Sequence, residues 1–147
     1  MNEGAAAGYS GTPLARKLGI KPEMRVGLAA APEGFEADLG ELPPGVALRR
    51  RLQGTFDVIV AFSTRRGELE RRLPAWRAAL AVDGGLWLAW PKVTSGVATD
   101  LGDAAVRDLG LAAGLVDNKV CAVDATWSAL RFVYRRADRP PRVRAST

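Results

Sequence analysis

Apolar residues along this chain fall into two alternating kinds of run. From Phe56 to Phe62 the chain is almost unbroken apolar and rich in β-branched residues, the signature of a strand covered on both faces. Leu86 to Trp90 reads the same way. Between them, Leu69, Leu73, Trp76 and Leu80 recur at i, i+4, i+7 and i+11 among arginines and glutamates, which makes one helical stripe. Pro74 is expected to kink or divide that helix, and Asp83-Gly84-Gly85 to stop it. Upstream, Thr12 offers a hydroxyl cap with Pro13 in the first helical position, Leu14 and Leu18 share a face, and Gly19 ends a short helix. Arg25 to Ala29 and Val46 to Leu48 read as strands, with a short helix carrying Phe35 and Leu39 between them.

Downstream, a polar loop from Pro91 to Thr99 leads to a helix capped by Thr99 or Asp100, with Leu101, Ala105, Leu109 and Ala112 inward and Gly114 at its end. Two last strands, about 116–123 and 128–136, are joined by Asp124 to Trp127, short enough to imply an antiparallel hairpin. After the opening helix the order is β, α, β, β, α, β, α, β, β. Such alternation predicts one α/β domain of three layers, with a mostly parallel sheet of about six strands ending in the hairpin. The domain should run over 9–136, with a loose tail at 1–8 and a basic tail at 137–147.

Composition narrows the chemistry more than it names it. At 147 residues and 48% hydrophobic, the chain has the size and balance of one globular domain. No apolar run is long enough to span a bilayer, and Met1 to Gly8 has neither the basic nor the apolar region of a secretory signal, so no membrane role is expected and a cytoplasmic location is. Histidine is absent and Cys121 is the one cysteine, which excludes a Ser-His-Asp triad, an HExxH zinc site and any cysteine cage. No metal is expected. The net charge of +5 is concentrated after residue 130, where six arginines (131, 135, 136, 139, 142 and 144) meet one acid, Asp138. Such an arm suits nucleic acid, although a solvated tail is the plainer explanation.

The later half, from a strand of the type Phe56 to Val60 through a helix, Asp83-Gly84-Gly85, a strand and Gly114-Leu115-Val116 to the final hairpin, resembles the Rossmann-like methyltransferases that use S-adenosylmethionine. The stretches Gly8 to Ala15, Ala31 to Phe35, Trp90 to Lys92, Thr99 to Leu101, Val120 to Asp124 and Trp127-Ser128 resemble a family of small bacterial proteins with a domain of unknown function. The methyltransferase resemblance implies a glycine-rich turn after the first strand and an acid ending the second, holding the amino-acid end and the ribose of the cofactor. Here the first turn, Ala29 to Gly34, has a single glycine, and the second strand ends in Leu48-Arg49-Arg50, which suits a phosphate better than a ribose hydroxyl. No cofactor is therefore expected, and S-adenosylmethionine is the one the resemblance would supply.

In an open α/β sheet, ligands sit beyond the carboxyl ends of the strands. That places Glu33, Gly34, Ser63, Lys92, Thr94, Ser95 and Thr99 on one rim as candidate ligand-binding residues, with Tyr9 and Ser10 as a candidate lid. Lys92 among hydroxyls makes a cradle for phosphate or carboxylate, while the bland reading is an ordinary solvated loop. Trp127 beside Asp124 at a hairpin tip is a candidate partner surface, and uncovered sheet edges a candidate homodimer contact. Three functions follow: a non-catalytic domain binding a small anionic or nucleotide-like ligand, a divergent methyltransferase, and an interaction module using the basic segment.

Overall fold

The computed structural model describes residues 12–138. A six-stranded sheet lies at its centre, built from β1 (Arg25–Ala29), β2 (Ala47–Arg49), β3 (Phe56–Phe62), β4 (Leu80–Pro91), β5 (Leu115–Ala122) and β6 (Trp127–Tyr134). Strand order is β2-β1-β3-β4-β6-β5. The first four are mutually parallel, and β6 lies antiparallel between β4 and β5. The unbroken apolar runs are the central strands, as their two-sided patterning requires, because each side of the sheet carries its own core.

One core joins α3 (Arg66–Ala78) and α4 (Asp103–Ala112) to the sheet through Leu73, Trp76, Val106, Ile59, Leu88 and Phe132. The opposite core joins α1 (Leu14–Lys17) and α2 (Phe35–Leu39) through Leu18, Phe35, Leu39, Val60 and Trp87. Arg107 clasps the first of these layers, donating to Asp117 on β5 at 3.1 Å and pairing with Asp103 one turn earlier.

Four local expectations need correction. Pro74 does not divide its helix, which is continuous from Arg66 to Ala78. Leu73 and Trp76, buried on either side of the exposed proline, hold both halves against the sheet and offset the lost backbone bond. Leu80 is not the last residue of that stripe but the first of β4; it pairs with Phe56, whereas Gly85 pairs with Val58, so Ala81, Val82, Asp83 and Gly84 stand opposite Asp57 alone and form an excursion inside the strand. The excursion passes so close that a Cβ on Gly84 would stand 2.7 Å from the Asp57 carbonyl oxygen, a position only glycine fills.

Thr12 does not supply the hydroxyl cap of α1. Pro13 takes the flanking position with extended backbone, no side chain caps the helix, and the Pro13 carbonyl accepts from the Arg16 and Lys17 amides. The last helix begins later than its spacing suggested, at Asp103 after an uncapped Gly102, because Thr99 and Asp100 are used elsewhere. Its buried stripe is Val106, Leu109 and Gly110, with Ala112 exposed and Leu101 buried ahead of the helix.

Candidate functional site

Strand order reverses between β1 and β3: the chain runs outward from β1 to β2, then returns past β1 to β3 and β4. Beyond the carboxyl ends of those strands lies the crevice where such sheets take ligands. One wall is the turn after β1, where Ala30 holds φ +56° in the left-handed region and Gly34 holds φ +87° at the start of α2. A non-glycine residue there costs on the order of 1 kcal/mol, which the flanking pairing of Ala29 with Ala61 and the burial of Phe35 sustain. Glu33 is exposed on this turn.

The floor is Ser63, directly after β3. It is 4% exposed and is the buried polar residue among those described; its amide donates to the Ala89 carbonyl, while its hydroxyl has no partner. On the far side of β1, Arg49 ends β2 and Arg50 follows it. Arg50 donates to Glu36 at 2.7 Å across a half-exposed pair, so the outer side of the crevice presents guanidinium and not a free carboxylate.

The structure divides the predicted loop residues between two places. Thr99 donates to the Thr64 carbonyl at 2.6 Å and accepts from the Leu101 amide at 3.0 Å, which brings it to the loop beside Ser63. Next to it, Asp100 accepts from the Arg66 amide at 2.7 Å and satisfies the exposed start of α3 from a distant loop. An Asp100→Ala variant is expected to lose about 1 kcal/mol in urea unfolding, the usual cost of a lost helix cap. Ser95 spends its hydroxyl within its own turn, donating to the Lys92 carbonyl and accepting from the Val97 amide, and Thr94 is exposed.

Lys92 belongs to the second place. It borders a groove of about 890 Å³ together with Thr12, Leu14, Lys17, Leu39 and Asp124, on the α1 and α2 side of the sheet. Asp124 orders the hairpin by accepting from the Thr126 and Trp127 amides at 2.8 Å each. Trp127 is half-buried, its ring edge-on to Phe62 at 5.0 Å, and Phe62 meets Phe35 at 4.9 Å. This aromatic row stands between α2 and the hairpin. Tyr9 and Ser10 lie outside the described residues.

Cys121, on β5 and in the core on the α1 and α2 side, is 8% exposed. Burial pushes its thiol up, opposed by the charges of Lys17, Lys119 and Lys92. A folded-state value above the unfolded one means that the unfolded chain gives up its proton first, so stability is full below the ordinary thiol range near about 8.5 and falls as pH rises through it. Replacing Cys121 with Ala should flatten that alkaline decline in urea midpoints, against a wild type that loses stability above it.

Among the described residues there is no cluster of side chains suited to a metal ion, and no helix is long and apolar enough to cross a membrane. Lys17, Glu41 and the service of Asp100 to α3 were invisible to spacing arguments, because each depends on segments that only the fold brings together.

Solved structures place this architecture. A TehB-like S-adenosylmethionine-dependent methyltransferase from Corynebacterium glutamicum superposes over 89% of this chain and 92% of its own, with TM-score 0.53 and 14% identity. Magnesium protoporphyrin IX methyltransferase from Synechocystis with bound S-adenosylmethionine covers 83% of this chain and 74% of its own, with TM-score 0.54 and 10% identity. DhpI in complex with S-adenosylhomocysteine covers 84% and 82%, with TM-score 0.59 and 13% identity. The fold is that of the Rossmann-like methyltransferases. No family model and no curated protein matches the sequence. Identities this low concern architecture alone, so the shared strand order carries the likeness and site chemistry must be argued from this chain.

Proposed function

We propose that this chain binds an adenosyl nucleoside, S-adenosylmethionine foremost, in the crevice where strand order reverses between β1 and β3, and that it is a divergent methyltransferase. The observation that carries the reading is the sheet itself. The reversal at β1, together with an antiparallel β6 inserted between β4 and β5, accompanies an architecture whose solved neighbours hold S-adenosylmethionine or S-adenosylhomocysteine. The left-handed turn at Ala30 and the unpartnered hydroxyl of Ser63 lie at the same crevice.

The residues meet this ligand only in part. At the end of β2, where a carboxylate would hold a ribose, stand Arg49 and Arg50, and the nearby Glu36 is engaged with Arg50. No step of methyl transfer is therefore assigned to a side chain. The same arginines favour a second reading, a non-catalytic domain that holds a phosphate-bearing nucleotide in the same crevice.

Equilibrium dialysis of the full chain with S-adenosylmethionine, S-adenosylhomocysteine and ATP separates the two. Retention of the adenosyl ligands, unaffected by Arg49→Glu, supports the methyltransferase reading. Preferential retention of ATP, lost in Arg49→Glu, supports the nucleotide domain. Retention of neither removes the crevice as a nucleoside site and leaves the basic C-terminal segment, whose binding to nucleic acid would weaken steeply with salt.

A further inference from the structure

Hydroxyl side chains in the loops after β3 and β4 are treated unevenly by the fold. Ser95 donates to the Lys92 carbonyl and accepts from the Val97 amide, and Thr99 donates to the Thr64 carbonyl and accepts from the Leu101 amide. Both are only half-buried, so water could have served them as well. Ser63 has neither resource. It is 4% exposed and its hydroxyl oxygen meets no partner, while its own amide and the carbonyl of the next residue are already engaged, with the Ala89 carbonyl and with Thr99. A buried hydroxyl in this state has given up water and gained nothing for it, so folded chains keep few of them, and function is a recurrent reason for keeping one.

Its place in the sheet supplies that reason. Alternation along β3 sends Phe62 toward α1 and α2, against Phe35 and Trp127, and turns Ser63 to the other side, with Ala61 and Ile59. Ala61 pairs with Ala29 of β1, which leads into the left-handed turn at Ala30. Beyond that pair, Ser63 is the first polar side chain on either strand. A lone neutral hydroxyl cannot offset a buried charge, but it pairs well with an uncharged donor or acceptor. Resting on the nucleoside reading above, we infer that Ser63 is a ligand contact of the crevice, its hydroxyl held unpaired for an uncharged hydrogen-bonding group on the nucleoside part of the ligand. The free chain is then less stable than it could be, and binding recovers the loss. The oxygen is enclosed in the free chain, so the contact forms as the adjoining loops yield, and those loops are held by the bonds of Thr99 and Asp100.

The test sets Ser63→Ala and Ser63→Cys beside the wild type, as full chains, in urea unfolding without ligand and in calorimetric titration with S-adenosylhomocysteine, adenosine and ATP. Without ligand, Ser63→Ala should unfold at the same urea concentration as the wild type or a higher one, since no bond is lost. Each nucleoside that the wild type binds should bind Ser63→Ala about fivefold more weakly, adenosine as much as the charged ligands, which is the worth of one neutral hydrogen bond. Ser63→Cys keeps the shape with a weaker bonding group and should fall between the two. A lower urea midpoint in Ser63→Ala means that the hydroxyl has a partner inside the chain, and overturns the inference. So does a loss seen with S-adenosylhomocysteine and ATP but not with adenosine, which puts the contact on a charged group. Equal binding by wild type and variants removes this inference alone, whereas binding of none of the three by the wild type is the failure of the nucleoside reading and removes both.

Discussion

Replacing Trp87 with Ala is expected to cost about 3–5 kcal/mol, a large part of the ~5–15 kcal/mol that holds a domain of this size together. The indole is 1% exposed in the second core, and its Nε1 donates to the Leu18 carbonyl at 3.0 Å, joining the centre of β4 to the end of α1. Two effects are therefore lost together, the buried ring and the partner of a buried carbonyl. Trp87→Phe separates them. It keeps most of the ring but leaves the Leu18 oxygen unpaired, for which about 1–3 kcal/mol is expected. Urea unfolding of both variants measures the difference. A Trp87→Phe protein as stable as the wild type would mean that water or another donor reaches that carbonyl, and that α1 is not fastened through this bond.

Gly110→Ala is expected to destabilise, against what helix propensity alone says. In the interior of α4 an alanine is worth about 1 kcal/mol more than glycine. A Cβ at this position, however, would overlap the ring of Phe132, which is fully buried on β6 and has no free side to move into. Overpacking of this kind costs about 1–3 kcal/mol, so packing should decide the sign. Gly110→Val, adding β-branching to the same collision, should be worse still and is expected to lower the thermal midpoint by many degrees. A rise in the midpoint of Gly110→Ala would show that α4 can lift from the sheet at little cost.

Gly110 also illustrates what spacing along a chain can and cannot carry. The layers are legible because each central strand announces burial on both faces and each helix carries one stripe: Phe56 to Phe62, Leu86 to Trp90, and Leu69 with Leu73 and Trp76 all lie where their periodicity puts them. The hairpin follows from the short link at Asp124. The rotation of α4 is not legible, since the residue that fixes it has no side chain and its partner is on another element. The extent of β4 is hidden for a related reason. Asp83-Gly84-Gly85 has the composition of a turn and does interrupt the pairing, but the strand resumes on both sides of it.

At the rim, position along the chain is enough to put Ser63 at the crevice, and the reversal of strand order gives that position its meaning. It is not enough to divide Lys92 from Thr99, seven residues later in one loop. Hydroxyls there look available to a ligand because their acceptors, the carbonyls of Thr64 and Lys92, are backbone atoms that leave no mark in composition.

The bonds from Thr99 to the Thr64 carbonyl and from the Arg66 amide to Asp100 stitch the loop after β4 to the loop after β3 at two adjacent points. Neither loop can then open by itself. Their amides should exchange with solvent as one cooperative unit, so a molecule settling over Ser63 would quieten the approach to α4 as well as the start of α3.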